Sequence, residues 1–100
     1  PMPSYSRKVA IPGKNAQELF ETVSAHIDRF VDKAPAKFEI ERVPSSREVR
    51  LKSSMATATL VCRDGEMEVE AKLSLFAAPF RTKIDEGIDK WLSKTFNLKA

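Results

Sequence analysis

The chain contains one histidine and one cysteine, so the search for chemistry starts at His26 and Cys62. His26 lies at the edge of an apolar helical stripe. Its nearest carboxylates, Glu21 and Asp28, do not stand at the three- or four-residue spacing that would bring one onto the ring. It reads as a partly buried packing residue rather than a general base. Cys62 falls on the core-facing parity of a strand, opposite Met67, with no cation or helix N-terminus beside it to lower its pKa. There it serves as a small hydrophobe. One Cys and one His cannot assemble an ordinary structural zinc site, and a single Cys closes no intrachain disulfide. The sequence holds no glycine-rich phosphate loop, no metal-spaced cluster and no Ser/His/Asp set. The expectation is a protein without catalytic residues, metal or cofactor.

Binding is better served than catalysis. Arg42 and Arg47 share the inward parity of their strands just beyond an aliphatic patch, next to Cys62. Two guanidinium groups at the mouth of a sheet can receive a carboxylate or a phosphate; the blander reading is that the sheet meets water there. Ala58 and Ala71 put small side chains across the middle of the same face. They either let a helix lie close, as dense cores favour, or leave a hollow for an apolar ligand. A third feature is the run Leu75-Phe76-Ala77-Ala78-Pro79-Phe80. Strand alternation cannot bury all of it, so Phe76, with Pro79 and Phe80 beside it, becomes a candidate interface.

The elements that must hold these residues follow from periodicity. At 100 residues and 11.2 kDa, the chain fits one domain, residues 1–100, able to bury about two-thirds of its unfolded surface. Apolar residues make up 42% and charged residues 31%, the balance of a soluble globular domain. No apolar run reaches the roughly 20 residues of a membrane span, and no signal-peptide pattern opens the chain. A cytoplasmic location is expected. Pro1 before Met2 reads as a cloning scar.

Residues 4–11 alternate, with Tyr5, Val9 and Ile11 on one side, and stop at Pro12-Gly13: a strand. Asn15, with Glu18 in capping-box position, opens a helix whose stripe is Ala16, Leu19, Phe20, Val23, Ile27, Phe30 and Val31; Pro35 should stop it. From residue 37 the period becomes two. Phe38 and Ile40, then Val49 and Leu51, then residues 56–63 and 66–75 read as four strands. Pro44-Ser45-Ser46 and Asp64-Gly65 are the turns, the latter expected as type I′. In the last run Met67, Val69, Ala71, Leu73 and Leu75 face one way. Pro79 suits a first helical turn, after which Phe80, Ile84, Ile88, Trp91 or Leu92, and Phe96 form a second stripe. Gly87 inside it suggests close approach to the sheet, and the pairs Arg81–Asp85 and Glu86–Lys90 support its surface.

Matching apolar faces sets a register. Arg63 pairs with Glu66, Cys62 with Met67, Leu60 with Val69 and Ala58 with Ala71. Leu51 pairs with Ala58, Val49 with Leu60, Phe38 with Leu51 and Ile40 with Val49. The other face then carries rows of charge, with Glu39 against Arg50. The order strand, helix, four strands, helix is that of the repeats of TATA-binding proteins, which grip DNA with an open sheet. Such binding wants cations and aromatic or apolar wedges. An acidic row without aromatics argues against nucleic acid here, despite a pI of 9.2.

The segment Ala56–Leu73, followed by Phe80-Arg81 and Ile84-Asp85-Glu86-Gly87-Ile88-Asp89-Lys90-Trp91-Leu92, resembles the small bacterial polyhydroxyalkanoic acid system proteins. The likeness extends over about residues 14–96. It implies association with polyester storage granules or their genes and carries over no catalytic residue. The combined expectation is an α+β domain of order β-α-β-β-β-β-α, a curved antiparallel sheet against two helices in a TBP-like or reduced helix-grip arrangement. Its expected role is non-enzymatic: binding an apolar surface, a polyester granule or a protein partner through Phe76, Pro79 and Phe80, as a homodimer or alone. The alternatives are a carrier whose hollow beside Ala58 and Ala71 holds an apolar acid headed by Arg42 and Arg47, and a nucleic-acid-binding module.

Overall fold

Ser4–Ala10 forms strand β1, and Ala16–Asp32 forms helix α1. Strands β2 (Glu39–Val43), β3 (Glu48–Lys52), β4 (Ala56–Arg63) and β5 (Glu66–Leu73) follow, then a single 3-10 turn at Ala78–Phe80 and helix α2 (Arg81–Phe96). The computed structural model describes residues 3–34 and 36–97. Pro1 and Pro35 lie outside the described residues. The five strands form one antiparallel sheet in the order β1-β5-β4-β3-β2. This is the expected α+β architecture.

The capping box of α1 is formed. Asn15 Oδ1 accepts the Glu18 N–H at 2.8 Å, and Glu18 Oε1 accepts the Asn15 N–H at 3.1 Å. Leu19, Phe20, Val23 and Ile27 are buried against Val49, Leu51, Leu60, Cys62, Met67, Val69 and Leu73 of the sheet. The second stripe holds as well. Ile88 and Leu92 are buried, and the Trp91 ring tilts against Phe30 of α1 with centroids 5.2 Å apart. Both helices therefore cover the same sheet face, and among the described residues the other face is open. Each large aliphatic side chain so buried contributes about 1.5–3 kcal/mol.

The pairings of β3 with β4 and of β4 with β5 are those that the apolar faces demand, from Leu51 opposite Ala58 to Arg63 opposite Glu66. The β2–β3 pairing differs from expectation by two residues: Ile40 faces Leu51 and Arg42 faces Val49. The expected register would have left Pro44 at the first position of a two-residue turn. The turns that suit such hairpins need positive φ there, which proline cannot adopt. The chain instead uses Pro44–Arg47 as the link. Ser46 N donates to Val43 O at 3.2 Å and Arg47 N to Pro44 O at 3.3 Å, and Arg47 takes a left-handed φ of 52°. A shift of two keeps every face and changes every partner. Arg50 thus meets Glu41, at 3.7 Å, and Lys52 stands opposite Glu39.

Other local expectations are corrected. Gly65 has φ 73° but Asp64 has no positive φ, so the β4–β5 link is not a type I′ turn. Contacts from elsewhere set its shape: Asp64 Oδ1 accepts the Ala16 N–H at 2.8 Å, Gly65 N donates to Lys14 O at 2.7 Å, and Ile11 N donates to Gly65 O at 2.8 Å. Gly87 is exposed, and a Cβ built there meets nothing within 4 Å. The glycine does not permit close approach of α2 to the sheet. The Arg81–Asp85 pair does not form either, because Asp85 is taken by β1. Nor do Glu86 and Lys90 close to within 4 Å.

Candidate functional site

The residues singled out for a ligand are not gathered into one place. Arg42 is spent on α1: its Nη2 donates to Ser24 O at 2.8 Å and pairs with Asp28 Oδ2 at 3.1 Å. Arg47 Nε donates to Gln17 Oε1 at 3.3 Å. Arg47 and Cys62 border a shallow depression of about 540 Å³ that also includes Asn15, Gln17, Arg63 and Asp64. Ala58 and Ala71 border a different one, about 350 Å³, together with Ser4, Ser6, Thr57, Thr59, Glu70 and Lys72. The parity of the latter residues places that depression on the open face, opposite the helices. The five residues expected to form an acid site are thus divided between two depressions and the contact with α1. The small alanines lie under the helices, while the arginines anchor α1 at the sheet's far edge.

Contrary to expectation, Arg47, Arg63 and the start of α1 do border the depression at Cys62, but Cys62 is 4% exposed, and burial pushes its thiol up to about 11. Thiolate, the reactive form, is scarce at neutral pH. His26 sits half-buried on α1. Among the described residues no group of three or more His, Cys, Asp or Glu side chains could hold a metal ion.

A polar constellation that the strand pattern concealed joins β1 to α2. Arg7 occupies the inward parity between Tyr5 and Val9, where its charge needs partners. It finds Asp85 at 3.2 Å and also Asp89, one helical turn on. The Tyr5 hydroxyl donates to the same Asp85 oxygen, and Arg81 lies over the Tyr5 ring at 5.6 Å. Burial first, and then the bond to Asp85, push the Tyr5 phenol up to about 12. The Asp89 contact raises the Arg7 guanidinium further. The set fastens α2 to the sheet edge. The one available clue was Arg7 at an inward position, unexplained by an apolar core.

The candidate interface is gathered, and it is larger than expected. Leu75 and Phe76 are each 81% exposed and Phe80 is 54% exposed; Pro79 is exposed beside them. Leu75 was expected to face inward with Leu73. The strand stops at Leu73, however, because Ser74 starts a tight turn. Its hydroxyl and carbonyl both accept the Ala77 N–H, at 3.1 Å each, and its carbonyl also accepts the Ala78 N–H at 3.0 Å. Ser74 N remains tied to Met55 O at 2.9 Å, and Ala77, 4% exposed, pins the turn to the core. Leu75 and Phe76 therefore ride at the tip. Serine as an acceptor for N–H groups three residues on was the signal that would have ended the strand earlier.

A family model described as "Putative polyhydroxyalkanoic acid system protein" matches residues 16–96. No curated protein matches the sequence. Among solved structures, a TBP-like protein from Parabacteroides distasonis ATCC 8503 is similar at a TM-score of 0.54 and 16% identity, covering 69% of this chain and 53% of that one. A DUF4468 family protein from Bacteroides ovatus ATCC 8483 gives a TM-score of 0.54 at 13% identity, covering 71% of this chain and 53% of that one. The chain thus spans about half the length of these structures, and at such identity the likeness concerns the fold alone.

Proposed function

The chain belongs to the polyhydroxyalkanoic acid system protein family, and from that premise we propose that it is a non-enzymatic cytoplasmic protein that docks on an apolar surface, that of the stored polyester. The observation that carries this reading is the exposure of Leu75 and Phe76 at the Ser74–Ala77 turn, with Phe80 exposed at the end of the 3-10 turn that follows. Water-exposed phenylalanines tacked down by a buried alanine are costly to leave open, and covering them recovers about 25 cal/mol per Å² of apolar area. The turn holds them out in advance, so little ordering is needed on contact. A homodimer closed over the same patch is the competing use of these side chains.

Co-sedimentation with protein-free polyhydroxyalkanoate particles tests it. The wild-type chain is expected to pellet with the particles, and Phe76→Asp to stay in the supernatant with an unchanged circular dichroism spectrum. Equal pelleting of a folded Phe76→Asp variant refutes the reading. Analytical ultracentrifugation of the same two proteins separates the dimer, which would dissociate on this substitution in the absence of any particle.

A further inference from the structure

The strand register reveals a charge polarity that the composition hides. The starts of β1, β2 and β4 and the ends of β3 and β5 lie at one end of the sheet: Ser4 faces Lys72, Lys72 faces Thr57, Thr57 faces Lys52, and Lys52 faces Glu39. From that end, after β5, the turn of Leu75 and Phe76 projects. Lys37 precedes β2 there, and Arg81 and Lys83 occupy the first turn of α2 beside Phe80. Lys37, Lys52, Lys72, Arg81 and Lys83 are all exposed. None of these five lies within 4 Å of a carboxylate among the described residues, and Glu39 is the single acid in the outermost row.

The remaining arginines of the sheet are neutralised. Arg7 pairs with Asp85 and Asp89, Arg42 with Asp28, Arg50 with Glu41 and Glu48, and Arg63 with Glu66 and Glu68. Carboxylates accumulate away from the apolar turn. Along β5, Glu70 stands two residues from Lys72, about 7 Å at the rise of a strand, and Glu68 four residues, about 13 Å. Against a Debye length of about 8 Å at physiological salt, Glu68 is largely screened from the basic end, while Glu70 and Glu39, which faces Lys52, reduce the charge of the five cations there without matching it in number.

Resting on the docking reading above, we propose that the apolar turn and its ring of unpaired cations form a peripheral binding site for an anionic phospholipid surface. Leu75, Phe76 and Phe80 enter the acyl boundary while Lys52, Lys72 and Lys83 bear on the head groups. The pairing of apolar tips with unpaired cations fits a charged amphiphile, whose two layers match the two kinds of side chain. A nucleic-acid duplex laid along the open face meets the carboxylates of Glu39, Glu41, Glu48, Glu68 and Glu70, which repel its phosphates.

Flotation with vesicles of phosphatidylglycerol and phosphatidylcholine, and with phosphatidylcholine alone, is the test. Wild-type protein is expected to float with the anionic vesicles, to bind the neutral ones far more weakly, and to be released by added salt. The triple variant Lys52→Gln/Lys72→Gln/Lys83→Gln, at exposed positions, is expected to lose on the order of a hundredfold in affinity for anionic vesicles while still pelleting with polyester particles. Equal wild-type binding to both vesicle types, or an undiminished triple variant, overturns the lipid assignment and leaves the docking reading standing. A folded Phe76→Asp variant that keeps full affinity for both vesicles and particles overturns the two together. Capture of duplex DNA by wild type and Phe76→Asp alike, without flotation, assigns the cations to nucleic acid instead and likewise overturns the proposal.

Discussion

The hydroxyl of Tyr5, second residue of β1, donates its hydrogen to the carboxylate of Asp85 on α2, eighty positions along the chain. The same oxygen receives Arg7 at 3.2 Å. One carboxylate therefore joins the sheet edge to the last helix, and the phenol gives up its proton only with difficulty. Because the protein has a single tyrosine, this linkage can be followed without interference.

Ultraviolet titration of tyrosinate should place the Tyr5 transition in the folded protein near 12, against an ordinary value of 10.0. The folded-state value is the higher one, so the native state holds the proton more tightly. Its stabilising effect is complete below pH 10 and fades as pH rises from 10 to 12, at no more than about 1.4 kcal/mol per pH unit. In Tyr5→Phe that component of the alkaline loss should vanish. A transition near 10 in the native protein would contradict the structure.

Gly87→Ala should stabilise the protein by about 1 kcal/mol, the difference between glycine and alanine in a helix interior. The added methyl meets no atom within 4 Å, and Gly87 does not have positive φ. Urea unfolding at unchanged slope would show it as a raised midpoint. A lowered midpoint would mean that α2 does lie close to a neighbour there.

Asp64→Ala removes the acceptor for the Ala16 N–H and loosens the hold between the β4–β5 turn and the start of α1. A loss of about 1 kcal/mol is expected, together with faster hydrogen exchange at the Ala16 amide. Unchanged exchange would show that the contact does not persist in solution.

Cys62 should react with thiol reagents only through unfolding, since it is buried and its thiol is pushed up to about 11. Labelling should therefore accelerate steeply across the urea transition and remain slow before it. Prompt labelling of the native protein at neutral pH would be inconsistent with this placement.

Much of this was legible in the residues. The capping box of Asn15 and Glu18, the α1 stripe and the β4–β5 pairing all follow from short-range periodicity, which acts within a few residues and survives without knowledge of neighbours. The exposed Phe76 was legible too, because six consecutive apolar residues exceed what one face can bury. Legibility ended where two distant segments compete for one group. Asp85 stands at helical spacing from Arg81, yet Arg7 and Tyr5 claim it. Asp64-Gly65 has the composition of a type I′ turn, yet Ala16 and Lys14 hold it otherwise. Leu75 has inward parity, yet Ser74 turns the chain first.

By itself, then, the sequence determined the number, kind and inner faces of the elements, since burying an apolar stripe or an alternating face leaves few other solutions. Only the tertiary structure decided which charges are neutralised and which stay free, because an ion pair depends on distances of a few ångströms between elements. That division separates Arg7 and Arg42, consumed in holding helices to the sheet, from Lys52, Lys72 and Lys83, left unpaired around Leu75 and Phe76.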